Sequence, residues 1–167
     1  GDFSIVDRYS AFLLTYLPRL QSVASSMKDE PIGSRYIPLI SAHEAVRDLE
    51  GISLEFGVFK GASINATAKR YPRRQFYGFD SFEGFPDDGR DDWDQDYSTR
   101  GHLPDVPANA TLIRGFFSDT LHSFLEKDAS AIAVINIDCD LYSSTKDVFA
   151  ALLANRKLRP GIAISFD

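Results

Sequence analysis

Two aspartates are the residues in this sequence whose type and spacing most suggest chemistry. Asp138 ends the apolar run 131–138, and Asp140 follows it after one intervening residue. On an extended chain, residues of the same parity point to the same side, so both carboxylates are predicted to face one site while Cys139 points away. Because unpaired buried charge is costly, such acids are not typical of simple core. They are candidates for accepting a substrate proton, and His102, in an acidic loop, is a third.

A second pattern predicts a ligand site of the nucleoside type. Glu55-x-Gly57-x-x-x-Gly61 follows an apolar run and opens a helix, and its two glycines let a ligand approach the backbone. Asp80 lies 23 residues beyond Gly57, the spacing at which an acid at the end of the next strand accepts hydrogen bonds from ribose hydroxyls. The middle glycine of a dinucleotide fingerprint is replaced by Phe59, and the sequence contains no P-loop. A nucleoside that carries a thioether and an amino acid, without phosphate, fits this pattern best.

The elements that must position these residues follow from an alternation of short apolar runs with helical spacing, which predicts a parallel sheet covered by helices on both faces. The five proposed strands are 52–58, 75–82, 110–117, 131–138 and 161–167. The proposed helices are 62–71, 119–127 and 143–155, with Asp119 and Ser143 or Ser144 as N-caps. Ligands of such sheets bind outside the carboxyl ends of the strands, so the candidate residues should meet at that edge.

The chain is predicted to consist of a helical extension, residues 1–51, and a core, residues 52–167, within a single domain. Apolar spacing predicts one helix over 5–27 and a second with Pro38 in its first turn and Gly51 as its terminator.

The interval 83–109 is too long for an idle turn and carries six aspartates between positions 87 and 96. We interpret it as a lid or substrate loop. A disordered acidic insertion is the alternative.

Length, charge and cysteine content bound the class of protein. The chain has 167 residues and a formal charge of −6, which fits one acidic globular domain and argues against nucleic acid or an anionic membrane as partner. Its only cysteine, Cys139, rules out an internal disulfide and a multi-cysteine zinc site. No apolar run approaches the ~20 residues that span a bilayer, and the N-terminus lacks a secretion signal, so we expect a cytoplasmic protein.

Four segments resemble one known family, in the right order and with plausible spacing. They are LEFGVFKGASI (54–64), FYGFDSFEGFP (76–86), GFFSDTL (115–121) and INIDCDLYSSTKDV (135–148). Together they look like the class I S-adenosylmethionine-dependent methyltransferases, specifically the macrocin O-methyltransferase-like group. The resemblance implies a Rossmann-like sheet, S-adenosylmethionine as cofactor, and methyl transfer to a hydroxyl of a small molecule such as a sugar or a natural product.

The resemblance also implies roles for individual residues. Nine would bind the cofactor: Glu55, Gly57, Gly61 and Ser63 at its methionine end, Asp80 at the ribose hydroxyls, Ser81 and Phe82 beside the adenine, and Phe117 and Ser118 on the other side of the adenine. Asp138 and Asp167 would bind a magnesium ion beside the accepting oxygen. In the alternative, Asp138 contacts cofactor or substrate without metal. Apart from the resemblance, the helical extension, with Tyr9, Phe12, Tyr16 and Tyr36, is expected to pack against the core or a second subunit and to cover the acceptor site.

Two rival functions remain open from the sequence. A non-catalytic S-adenosylmethionine-binding module would keep the pocket without turnover, and an NAD(P)-dependent oxidoreductase would use a similar sheet but lacks the middle glycine. Members of the family add two strands after the fifth, so the resemblance implies that C-terminal strands are missing here. We therefore expect a longer natural protein or a homo-oligomer that covers the apolar edge strand.

Overall fold

A computed structural model describes residues 36–87 and 97–166 of the chain. The proposed helix over 5–27 and the metal ligand Asp167 lie outside the described residues, as does the most acidic part of the interval 83–109. Within the described residues, no helix combines the length and the apolarity needed to cross a membrane.

Five parallel strands form one sheet in the order β3-β2-β1-β4-β5. The strands are β1 Ile52–Phe56, β2 Phe76–Asp80, β3 Ala110–Arg114, β4 Ile132–Ile137 and β5 Ala163–Phe166. Each lies within a run proposed from the sequence, and every residue of the central strands β1 and β4 is buried. Strands covered on both faces need continuous apolar runs, which is why these runs could be recognised. The predicted Rossmann-like α/β fold is confirmed.

Within the described residues, four helices cover the sheet: α1 Ile37–Ala45, α2 Ala62–Arg70, α3 Phe117–Lys127 and α4 Tyr142–Ala154. The predicted N-caps were wrong, because α3 and α4 follow Phe116 and Leu141, neither of which makes a side-chain capping bond. Asp119 lies instead in the first turn of α3, where its charge favours the positive end of the helix dipole.

The described part of the extension packs on the sheet. Pro38 lies in the first turn of α1, as predicted, but the helix ends at Ala45, well before Gly51. Leu39 packs against Ala133 and Val134 of β4, so α1 belongs to the same core as the strands.

One imidazole of α1 is enclosed by this packing. His43 stacks on Tyr71 and Phe76, with ring centroids 4.7 and 5.3 Å away. Burial, together with the charge of Arg74, lowers the pKa of His43 to about 3, so the ring is neutral in the folded protein at neutral pH.

Candidate active site

A cavity of about 690 Å³ lies at the carboxyl ends of the strands, the edge at which the sequence predicted a ligand. Its volume is in the range of small-molecule sites. Eight of the residues proposed from the sequence line it: Gly57, Ser63, Asp80, Ser81, Phe117, Ser118, Asp138 and Asp140. The fold therefore brings together residues that are up to 83 positions apart in the chain.

The turn after β1 forms the floor of this cavity. Gly57 has φ +93°, and a Cβ at this position would lie 1.8 Å from the carbonyl oxygen of Asp138. Only glycine permits both the backbone conformation and the close approach. The turn then closes with a hydrogen bond of 2.8 Å from the Gly61 N–H to the Val58 carbonyl, directly before α2. This geometry explains the spacing of the two glycines.

Asp80 fixes that turn from the end of β2. Its Oδ2 accepts the backbone N–H groups of Val58 and Phe59 at 2.8 and 2.7 Å, and its Oδ1 accepts that of Phe82 at 2.7 Å. A carboxylate offers about four acceptor positions, so these bonds leave room for about one further donor. Asp80 therefore organises the cavity through the backbone and keeps capacity for one ligand hydroxyl.

Glu55 lies behind the cavity rather than in its lining, in contrast to its predicted contact with the cofactor. The side chain is 3% exposed and accepts a hydrogen bond of 2.7 Å from the hydroxyl of Ser63, which does line the cavity. Burial, with a smaller contribution from the charge of Asp138, raises the pKa of Glu55 to about 8, despite hydrogen bonds from Ser63 and Asn136. Glu55 is thus a neutral acid at pH 7 that positions Ser63.

The two aspartates after β4 reach the cavity by a route that the sequence did not predict. Strand β4 ends at Ile137, and Asp140 has φ +56° within a γ-turn closed by the Leu141 N–H and the Cys139 carbonyl. Strand parity was therefore the wrong reason, although Asp138 and Asp140 both line the cavity. Non-glycine residues with positive φ are strained, and such strain is often found at functional sites.

Three other predicted site residues do not line the cavity. Gly61 has φ +76° and packs tightly against Pro104, so its role is in the backbone. Phe82 is fully buried in a core cluster with Val58 and Ile64, because the turn after β2 directs its ring inward. His102 is exposed, and its backbone bonds to Thr99 hold a loop outside the cavity.

The cavity also contains residues that sequence reasoning missed. Phe59 and Lys60 lie between the two glycines of the first turn, and Phe85 and Tyr97 come from the interval proposed as a substrate loop. In the sequence, the only indication that these four residues belong to the site is that each lies within a motif or loop already proposed to form it. Tyr36 lines the cavity as well, which agrees with the expectation that the extension covers the site.

The charged side chains among the described lining residues are Asp80, Asp138, Asp140, Asp147 and Lys60. The cavity is therefore acidic and suits a ligand with net positive charge. Among the described residues, no group of three or more histidines, cysteines, aspartates or glutamates could hold a metal ion. The magnesium site predicted at Asp138 and Asp167 stays a prediction, because Asp167 lies outside the described residues.

Comparison with solved structures identifies the fold. The chain is 23% identical to CalS11, calicheamicin methyltransferase, with a TM-score of 0.61, covering 89% of this chain and 76% of that one. An apo structure of CalS11, described as a TDP-rhamnose 3'-O-methyltransferase of calicheamicin biosynthesis, is 24% identical with a TM-score of 0.54, covering 89% and 75%. At this identity the likeness establishes the shared fold. None of the curated protein sequences matches the chain.

A family model described as a methyltransferase domain matches residues 54–167, which reach from β1 to the end of β5. The four motifs all lie within the matched residues. The chain therefore belongs to this methyltransferase-domain family and is a class I S-adenosylmethionine-dependent methyltransferase.

Proposed function

We propose that this protein transfers the methyl group of S-adenosylmethionine to a hydroxyl oxygen of a small molecule, such as a sugar or a natural product. The observation that carries the proposal is the acidic cavity at the carboxyl ends of the strands, in which two carboxylates lie next to the turn that would hold the cofactor. Three aromatic side chains, Phe59, Phe85 and Tyr97, line the same cavity and suit ligands that carry rings.

The charge of the cavity favours this cofactor over NAD. S-adenosylmethionine carries a sulfonium and an ammonium group against a single carboxylate, so it is positive overall, and Lys60 is available for that carboxylate. The pyrophosphate of NAD would bring negative charge next to four aspartates. Phe59 also occupies the place of the glycine that a pyrophosphate needs.

In the reaction, the acceptor oxygen attacks the methyl carbon in line with the carbon–sulfur bond, whose electron pair leaves on sulfur. The cofactor supplies the electrophile, and the protein aligns the reactants and accepts the hydroxyl proton. Asp138 is the proposed acceptor of that proton, because it is half-buried and its backbone carbonyl approaches Gly57, which places the residue beside the glycine turn, whereas Asp140 is exposed. A magnesium ion bound at Asp138 would lower the pKa of the acceptor hydroxyl and orient it, and a chelator would then reduce methyl transfer.

Thermal unfolding with S-adenosylhomocysteine, and separately with NAD, tests the cofactor assignment. Ligand at 100 times its dissociation constant should stabilise the fold by about 2.7 kcal/mol, which raises the melting temperature by about 5–10 °C. We expect this shift with S-adenosylhomocysteine and none with NAD. The reverse result would favour an oxidoreductase.

Transfer of a labelled methyl group from S-adenosylmethionine to a panel of hydroxylated acceptors, with and without a chelator, tests catalysis. With an acceptor in hand, Asp138→Asn should lower kcat by much more than it lowers affinity for S-adenosylhomocysteine, which lacks the sulfonium charge, and Asp140→Asn is the matched control. A larger loss of kcat in Asp140→Asn would assign the proton to Asp140. Cofactor binding without transfer to any acceptor would favour the non-catalytic binding module.

A further inference from the structure

The loop that carries Tyr97 to the cavity is attached to the core at two places. At one end, the Thr99 and Gly101 N–H groups donate to the Phe82 carbonyl at 3.1 and 2.8 Å. At the other end, the side-chain amide of Asn65 in α2 donates to the Asp105 carbonyl at 2.8 Å. The loop over residues 97–105 is therefore held as a fixed wall.

Asn65 also links this loop to the turn that forms the cavity floor. The same Nδ2 donates to the Gly61 carbonyl at 2.9 Å, so one amide joins the end of the turn 57–61 to the loop. Pro104 reinforces the junction, because its ring occupies the space next to Gly61 that a Cβ would fill.

Aromatic contacts carry the junction into the cavity. Tyr97 packs against Phe59 and Phe85, with ring centroids 5.5 and 5.3 Å apart, and all three side chains line the cavity. Phe59 belongs to the turn and Tyr97 to the loop, so this packing requires the two segments to stay in register. Asn65 holds that register from outside, since it does not line the cavity itself.

We propose that Asn65 is a positioning residue for the cofactor: by tying the loop 97–105 to the turn 57–61, it keeps the aromatic wall in place and slows release of the bound cofactor. The inference rests on the proposed function of the cavity. The side-chain hydrogen bonds of Asn65 affect cofactor release because Tyr97, which completes the aromatic wall, belongs to a loop distant from the glycine turn in sequence. A bound ligand leaves faster when such a loop can move.

Asn65→Ala tests the proposal with little risk to folding. Alanine is the better helix former, the Gly61 carbonyl keeps its bond of 3.0 Å from the Asn65 backbone N–H, and the Asp105 carbonyl lies where water can reach it. Pro104→Gly loosens the same junction from the loop side and serves as a second variant.

Asn109→Ala is the matched control. The Asn109 amide donates to three backbone carbonyls, those of Ala68, Tyr71 and Arg74, but does not line the cavity. Its loss should lower the melting temperature without changing cofactor release.

The measurement is the dissociation rate of S-adenosylhomocysteine from the full chain by surface plasmon resonance, with melting temperatures recorded alongside. We expect about 10-fold faster release from Asn65→Ala, the effect of about one lost hydrogen bond, and faster release from Pro104→Gly through lost packing. Unchanged release in both variants, or equally fast release from Asn109→Ala, overturns the inference while leaving the proposed function intact. Absence of binding to the wild-type protein overturns both.

Discussion

Two buried titratable groups, His43 and Glu55, have pKa values shifted in opposite directions. Together they predict that the free energy of unfolding, plotted against pH, reaches a plateau in mildly acidic solution. His43 has its pKa lowered from 6.5 to about 3, so its contribution to stability is present above pH 6.5 and is lost as the pH falls towards 3. Glu55 has its pKa raised from 4.5 to about 8, so its contribution is present below pH 4.5 and is lost as the pH rises towards 8. Between pH 4.5 and 6.5 the two slopes cancel.

The magnitude follows from proton linkage. One proton bound differently by the folded and unfolded states changes the free energy of unfolding by about 1.4 kcal/mol per pH unit. From these two groups, stability should fall by about 2 kcal/mol from pH 6.5 to 8 and by about as much from pH 4.5 to 3. Other groups add their own slopes, so a difference between two proteins is the sharper quantity.

Glu55→Gln provides that difference. Glutamine keeps an acceptor for the Ser63 hydroxyl and resembles the protonated acid, so the variant should fold at pH 5. Its stability relative to wild type should rise by about 4 kcal/mol between pH 5 and 8, as measured by urea unfolding followed by circular dichroism. Parallel profiles for the two proteins would refute the argument, because they would mean that Glu55 is ionised in the folded state throughout. His43→Phe should leave this difference unchanged while removing the loss of stability below pH 4.5.

Three substitutions in or near the cavity give further tests. Gly57→Ala should abolish S-adenosylhomocysteine binding and lower the melting temperature, because its Cβ would meet the Asp138 carbonyl. Gly161 has the same φ of +93° but open space around it, so Gly161→Ala should lower the free energy of unfolding by only about 1–2 kcal/mol and leave binding unchanged. Equal losses of stability in the two variants, measured by calorimetric unfolding, would show that the positive φ alone, and not the contact with the Asp138 carbonyl, causes the destabilisation. Asp80→Asn should destabilise the fold by about 1–3 kcal/mol in the same measurement. Asparagine keeps only one acceptor oxygen, whereas the three backbone N–H groups donate to both carboxylate oxygens of Asp80. Lys60→Met should weaken S-adenosylhomocysteine binding by about 2- to 5-fold and reduce its salt dependence, with Lys60→Arg unchanged; titration calorimetry at two salt concentrations decides this.

The strands were predictable because parallel strands buried on both faces must be continuously apolar. Their ends were less so, since apolarity does not distinguish a strand from the turn that follows it. Val58 extends the run of β1 but lies beyond Gly57, where positive φ ends the strand. Phe117 extends the run of β3 but begins α3, because its ring packs edge-on against Phe56 in the core, 5.4 Å away.

The sequence predicts the position of a site residue well when the turn that carries the residue fixes it. It predicts less well when burial or contact with a distant segment determines where the side chain lies. The glycine turn and Asp80 follow from local spacing. Tyr97 could not be placed, because its contact with Phe59 depends on the attachment of a loop far away in sequence. The inward orientation of Phe82 likewise depends on a turn with φ +59° that the sequence does not reveal.

Carboxylates near one edge of the sheet show why residue type alone does not assign a role. Glu55 is enclosed, and the cost of burying a charge keeps it neutral, so it can hold Ser63 but cannot attract a cation at pH 7. Asp80 spends most of its acceptor capacity on backbone N–H groups. Asp138 and Asp140 line the cavity and give it negative charge next to the glycine turn. Similar side chains thus differ in burial and in hydrogen bonding, which is why we propose the acids after β4, and not Glu55, as the groups that meet a positively charged cofactor and accept a proton.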